Sequence, residues 1–140
     1  MSTAVATGIF QKLTGTTAVT SKLATAAAGY QYAIYHAQAP PDSAYPYIIY
    51  NKQSGTRTRG MGANAFWREI WMVKAVDRNT TSNRAESISE AVSDALDLGT
   101  ITVSGRTLAD LHHVSDVDYL EPSGDQTYRH HGCLYAVVLT

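Results

Sequence analysis

The chain contains a single cysteine, Cys133, in 140 residues, so neither an intrachain disulfide nor a multi-cysteine zinc site can hold it together. That suits a reducing compartment. Charge is also scarce: 16% of residues are Asp, Glu, Lys or Arg, against about 25% in ordinary globular domains. The 11 basic and 12 acidic residues nearly cancel to a net charge of −1, which excludes a generic polyanion binder. No apolar run approaches the roughly 20 residues that span a bilayer. The segment from Met1 to Leu13 lacks the basic start and apolar run of a signal peptide, so the expectation is a soluble protein made in the cytoplasm, with no membrane partner.

A chain of this size buries roughly 68% of its unfolded surface, enough for one core without staples, and no repeat or low-complexity linker divides it. The expectation is one domain over residues 1–140. Nine tyrosines are many for this length. They suit either a lasting contact with other proteins or simply a tyrosine-rich sheet.

Val5, Ile9 and Leu13 recur at helical spacing with Ser2 or Thr3 available as N-cap, and Gly15 ends that helix. Val19 and Leu23 suggest a further turn before Gly29. The period then changes to two. Tyr30 to Ala37 and Tyr45 to Lys52 read as strands separated by Pro40-Pro41, with Pro46 restricted to a strand start or a sheet edge. Gln53 to Asn64 holds three glycines and no hydrophobic pattern, and reads as a flexible hairpin loop. Ala65 to Arg78 alternates Trp67, Glu69, Trp71, Val73 and Ala75 against Phe66, Arg68, Ile70, Met72 and Lys74. At about 3.3 Å per residue this strand is longer than a compact domain of this size is wide, so part of the hairpin should bend or project.

Ala85, Ile88, Val92, Ala95 and Leu96 form the apolar stripe of an amphipathic helix over about 83–98, with Asn83 and Glu86 at capping-box spacing and Gly99 as its stop. Residues 101–108 suggest a short hairpin. Leu111 to Leu120 and Thr127 to Leu139 read as antiparallel strands joined across Pro122-Ser123-Gly124. The class is therefore α+β: an antiparallel sheet with hairpins, packed by an N-terminal helix and one longer amphipathic helix.

Candidate chemistry is sparse. Histidines come in the pairs His112-His113 and His130-His131, but neighbours on a strand face opposite ways, and the pairs fall out of register across the last hairpin. Asp116 or Val117 should face His130 or His131, and His113 about residue 134. The pairs are then too far apart to share a metal bound at about 2.0 Å, so no metal site is expected. Cys133, among Leu134, Tyr135 and Val137, reads as a small core side chain rather than a nucleophile. No phosphate-binding glycine motif or nucleophile elbow is present, so no cofactor and no enzymatic activity are expected. The 53–64 loop region is basic through Lys52, Arg57 and Arg59, with Met61 its only large apolar residue. These four are the candidate partner-contact residues.

The order of elements carries a resemblance. An N-terminal helix is followed by a strand and loop, by Pro46-Tyr47-Ile48-Ile49, by Trp71-Met72-Val73-Lys74-Ala75, and by a Glu- and Ala-rich helix ending Ala95-Leu96-Asp97. Over nearly its whole length the chain resembles the tail-completion, or head-to-tail joining, family of long-tailed phages, related to tail terminators. The resemblance implies a structural virion protein of the siphovirus type, without catalytic site. It would form a ring, a hexamer, at the head-proximal end of the tail tube, terminating the tail and joining it to the head connector. Its implied partners are other copies of itself, the tail tube protein and the connector proteins, with DNA passing nearby. Its implied place is the neck of the virion, assembled in the host cytoplasm. Alternatives are a head-side neck adaptor, a monomeric Tyr-rich binding module, and a small His/Cys hydrolase.

Overall fold

A computed structural model describes residues 2–78 and 83–140. The chain runs α1 (Ser2–Thr14), α2 (Thr17–Thr20), β1 (Ile34–His36), β2 (Tyr47–Gly60), β3 (Ala63–Asp77), α3 (Arg84–Leu96), β4 (Leu108–Ser123) and β5 (Gln126–Leu139). The five strands form one mixed sheet in the order β1-β2-β3-β5-β4. All neighbours are antiparallel except β1 and β2, which pair in parallel from Ile34↔Ile48 to His36↔Tyr50. The expectation of a purely antiparallel sheet is corrected at this pair. Only three residues of the anticipated first strand take part.

The alternation in β3 divides the sheet into two faces. Trp71, Val73 and Ala75 share a buried cluster with Val5, Ile9 and Leu13 of α1, with Ala85, Ile88, Val92 and Leu96 of α3, and with Tyr135, Val137 and Leu139 of β5. Each of these side chains is withdrawn from water at roughly 25 cal/mol per Å² of apolar surface. A smaller cluster on the other face joins Tyr35, Tyr47, Ile49 and Val76, with Ala39 and Tyr45 from the segment between β1 and β2 packed against it. Tyr35, Tyr47, Tyr50 and Tyr135 are buried in the two clusters, while Tyr30 and Tyr119 are exposed. Four of the nine tyrosines thus belong to the core.

Several local expectations are revised. α1 already includes Ser2 and Thr3, so neither is its N-cap. Asn83 stands at the N-cap of α3 without a side-chain capping bond, so the capping box does not form. The start of α3 is tied instead by Arg84, which donates from Nη2 and Nε to buried Asp77 at 2.7 and 3.0 Å. The left-handed residue after α3 is Leu98 (φ 57°), not Gly99, and the Leu98 N–H donates to the Leu111 carbonyl at 2.8 Å. Residues 101–103 form no strand, and a turn from Val103 to Arg106 leads directly into β4.

Candidate assembly surface and the polar cluster beside it

The segment expected as a loop, 53–64, is largely ladder. β2 stays paired with β3 out to Gly60↔Ala63, leaving Met61 and Gly62 as the turn. Glycine is required at position 62, where φ is +79°. The pairing of β1 ends at Tyr50, and that of β5 ends at Trp67↔Leu139. Beyond those points the β2–β3 hairpin has no neighbouring strand among the described residues. It is an arm with both edges open, and a bulge between Lys52 and Ser54 sits at its root.

The root is held by a buried carboxylate. Glu69 is fully buried, accepting from the Trp67 indole Nε1 at 2.9 Å and the Trp71 indole Nε1 at 2.8 Å, with Lys52 Nζ 3.6 Å from Oε2. A buried charge persists only when paired and hydrogen-bonded, and here three donors converge on it. Further out, the Arg57 guanidinium lies 4.1 Å from the Trp67 ring centroid and Arg106 lies 5.5 Å from it. The four candidate contact residues therefore separate into two kinds. Lys52 and Arg57 serve the root and the flank of the arm, whereas Arg59 and Met61 are exposed near and at its tip, Met61 completely. Glu69 is the only carboxylate between residues 51 and 69, so the arm presents a basic surface.

On the far side of the sheet β4 is the outermost strand; among the described residues no strand pairs its outer edge, which Leu98 and Asp97 meet only at the Leu111 carbonyl (2.8 Å) and the His113 N–H (2.9 Å). It carries Asp110, Asp116, Asp118 and Glu121 and no Lys or Arg. Each carboxylate meets a neighbour: His112 Nδ1 at 2.6 Å from Asp110, His113 Nε2 at 2.8 Å from Asp116, Arg129 Nη2 and His131 Nδ1 at 3.3 Å from Asp118, and His130 Nε2 at 3.3 Å from Glu121. Bonds from His113 and Cys133 hold the Asp116 carboxyl below the usual range, and Arg129 does the same for Asp118.

The two histidine pairs remain out of register, with His113 opposite Tyr135, within one residue of the expected position. Asp116 faces Cys133 instead of His130 or His131, because the turn lies at Gly124-Asp125; the register then shifts further on, between His113 and Ser115. That shift gathers a group missed from the sequence: His113, Asp116 and Cys133 bring donor atoms within 4.8 Å of one another. With Asp116 expected opposite His130 or His131, neither Asp116 nor His113 is expected beside Cys133 from the sequence. The group is not ordered for nucleophilic catalysis. Asp116 Oδ1 lies between His113 Nε2 and the Cys133 thiol, which donates to it at 3.6 Å, whereas an activating base must sit between acid and nucleophile. Burial moreover pushes the Cys133 thiol up, away from thiolate.

Residues 7–138 match the family described as tail completion protein gp17. The chain belongs to that family. The match covers nearly the whole sequence and agrees with the resemblance carried by the order of its elements; the protein is a structural component of a phage-type tail. The tail completion chain also shares its fold with a chain of a solved virion of a native gene transfer agent (GTA) particle. The TM-score is 0.75 at 16% identity, over 96% of this chain and 93% of that one. No curated protein is significantly similar to it in sequence. Among the described residues no helix is long and apolar enough to cross a membrane.

Proposed function

We propose that the protein assembles as a ring, a hexamer, at the head-proximal end of the tail tube, where it terminates the tail and provides the surface for the head connector. The observation that carries this reading is the arm. A hairpin fixed at its root by Glu69, with open edges and an exposed tip at Arg59 and Met61, suits insertion against a different surface of the next copy. Such head-to-tail contacts close into a ring when the rotation between copies divides a full turn. Repeated around that ring, Arg57 and Arg59 would give a collar of positive charge near DNA in the channel. In this reading the chain binds and positions its neighbours, the tail tube and connector proteins, in the virion neck, after assembly in the host cytoplasm, and has no catalytic role.

The test is mass by light scattering across a concentration series, alone and with polymerised tail tubes, followed by electron microscopy. Rings near six times 15.2 kDa, or density capping tube ends, are expected. A strict monomer that ignores tubes would overturn the proposal, and binding only to connectors would make the protein a head-side adaptor. Deleting Thr56 to Gly62 removes exposed ladder and should leave the subunit folded while abolishing joining. Joining that persists would refute the role of the arm.

A further inference from the structure

Side chains three apart on a regular strand point to opposite faces. His113 and Asp116 nevertheless share a face, because the register shift between His113 and Ser115 places an extra residue in β4. Their common face is that of Cys133, which lies directly opposite Asp116, while His113 lies opposite Tyr135, two residues further along the same face of β5. The bulge thus converges an imidazole nitrogen, a carboxylate oxygen and a thiol sulfur. The separations are 2.8 Å from His113 Nε2 to Asp116 Oδ1 and 3.6 Å from Cys133 Sγ to the same oxygen, and all three donors lie within 4.8 Å of one another.

Tetrahedral coordination with bonds of about 2.0–2.3 Å sets its ligand atoms roughly 3.3–3.6 Å apart. The sulfur–oxygen pair already has that spacing. The nitrogen–oxygen pair must open by about half an ångström, and the nitrogen–sulfur pair, within 4.8 Å, must close to the same spacing, through rotation of the exposed Asp116 and partly exposed His113 side chains. We propose that His113, Asp116 and Cys133 form a three-ligand site for a divalent zinc-class ion, with the fourth position open to water on the solvent side of Asp116. Nitrogen, oxygen and sulfur together favour zinc, or cobalt in its place, over magnesium or calcium, which take oxygen alone. On loading, the thiol releases its proton to solvent and the sulfur–metal bond replaces the bond to Asp116; no electron moves. The ion joins the edge strand β4 to β5 beside the bulge. The expectation that no metal site exists rested on pairing one histidine with another, and this group needs only one.

The experiment uses reduced, tag-free full-length protein titrated with Co²⁺ and followed by absorbance, with Zn²⁺ calorimetry and thermal melts in parallel. Stoichiometric uptake is expected, with a thiolate-to-cobalt charge-transfer band and a higher melting temperature in Zn²⁺. Cys133→Ser should lose the band. His113→Gln and Asp116→Asn, at partly and largely exposed side chains, should fold normally and each weaken binding by at least about tenfold. Absence of the band at millimolar metal would overturn the proposal. So would equal uptake by the Cys133→Ser or His113→Gln variant, since the ion would then sit on other surface histidines.

Discussion

Replacing Glu69 by glutamine keeps the shape of the side chain and removes its charge, which isolates what the carboxylate does at the root of the arm. Each carboxylate oxygen now accepts from one indole N–H, at 2.9 Å from Trp67 and 2.8 Å from Trp71. Hydrogen bonds to a charged group contribute about 1.5–3 kcal/mol each, and neutral ones about 0.5–1.5. In the glutamine variant the amide oxygen keeps one indole, while the amide NH₂ is set against the other, donor facing donor. The relief of no longer burying a charge offsets part of the loss. The net expectation is a destabilisation of about 2 kcal/mol. For 140 residues, an unfolding entropy near 2.1 cal/mol/K per residue converts that to a drop in Tm of roughly 7 °C. Urea unfolding followed by circular dichroism measures it, since the fluorescence of both tryptophans will itself change. Lys52→Met separates the ion pair: Nζ lies 3.6 Å from the carboxylate on a side chain one-third exposed, so its loss should be below about 1 kcal/mol. A Glu69→Gln loss within about 0.5 kcal/mol of zero would refute the indole network as the anchor. A loss no larger than that of Lys52→Met would assign the effect to the ion pair alone.

Gly132 of β5 leaves no room for a methyl group, which would meet the Val73 carbonyl oxygen and the Lys74 Cα of β3. Gly132→Ala should therefore destabilise by about 1–3 kcal/mol, read as a lower urea midpoint. Leu98 adopts φ 57° with its side chain 80% exposed, so Leu98→Asn should raise the stability of the free subunit by up to about 1 kcal/mol, measured by thermal melts. His130 stacks on Tyr119 at 4.4 Å; burial first, then Lys74, hold its imidazole below the ordinary 6.5, with Glu121 acting the other way. Since the folded value lies below the unfolded one, the stability His130 contributes is complete above about pH 6.5 and falls as the pH drops toward the folded value. His130→Gln should flatten the urea midpoint between pH 7 and 5.

The elements that read clearly from the sequence are those whose side chains meet a core on one face. The stripe Ala85, Ile88, Val92 and Leu96 marks α3, and the alternation of Trp67, Trp71, Val73 and Ala75 marks β3, because burial selects residue types at a fixed period. Residues 53–60 escaped recognition for the converse reason. Ser54, Thr56 and Thr58 alternate with Gly55, Arg57 and Arg59, all of them exposed, and the strand exists because β3 offers it a ladder. The parallel pairing of β1 rests on three residues, too few for a pattern. Lys52 lies on strand as expected, Arg57 and Arg59 lie on strand where a loop is expected, and Met61 alone of the four candidate contact residues belongs to the turn. Glu69 was visible only as a charged residue among the bulky ones of an alternating strand. The group at Cys133 depends on a one-residue bulge, which leaves no mark in hydrophobic periodicity.

The acidic outer strand limits which mistakes the free subunit can make. If two copies laid their β4 edges side by side, Asp110, Asp116, Asp118 and Glu121 of one would approach the same residues of the other, with no lysine or arginine on either strand to relieve them. Symmetric pairing of that edge, the shortest route from an open sheet to a dead-end dimer or a fibre, is opposed by charge before any contact forms. The barrier weakens as salt shortens the reach of the repulsion to about 8 Å at physiological ionic strength. A stock of unassembled subunits should consequently stay dispersed best in dilute buffer, and sticky, off-pathway species should appear first at high salt.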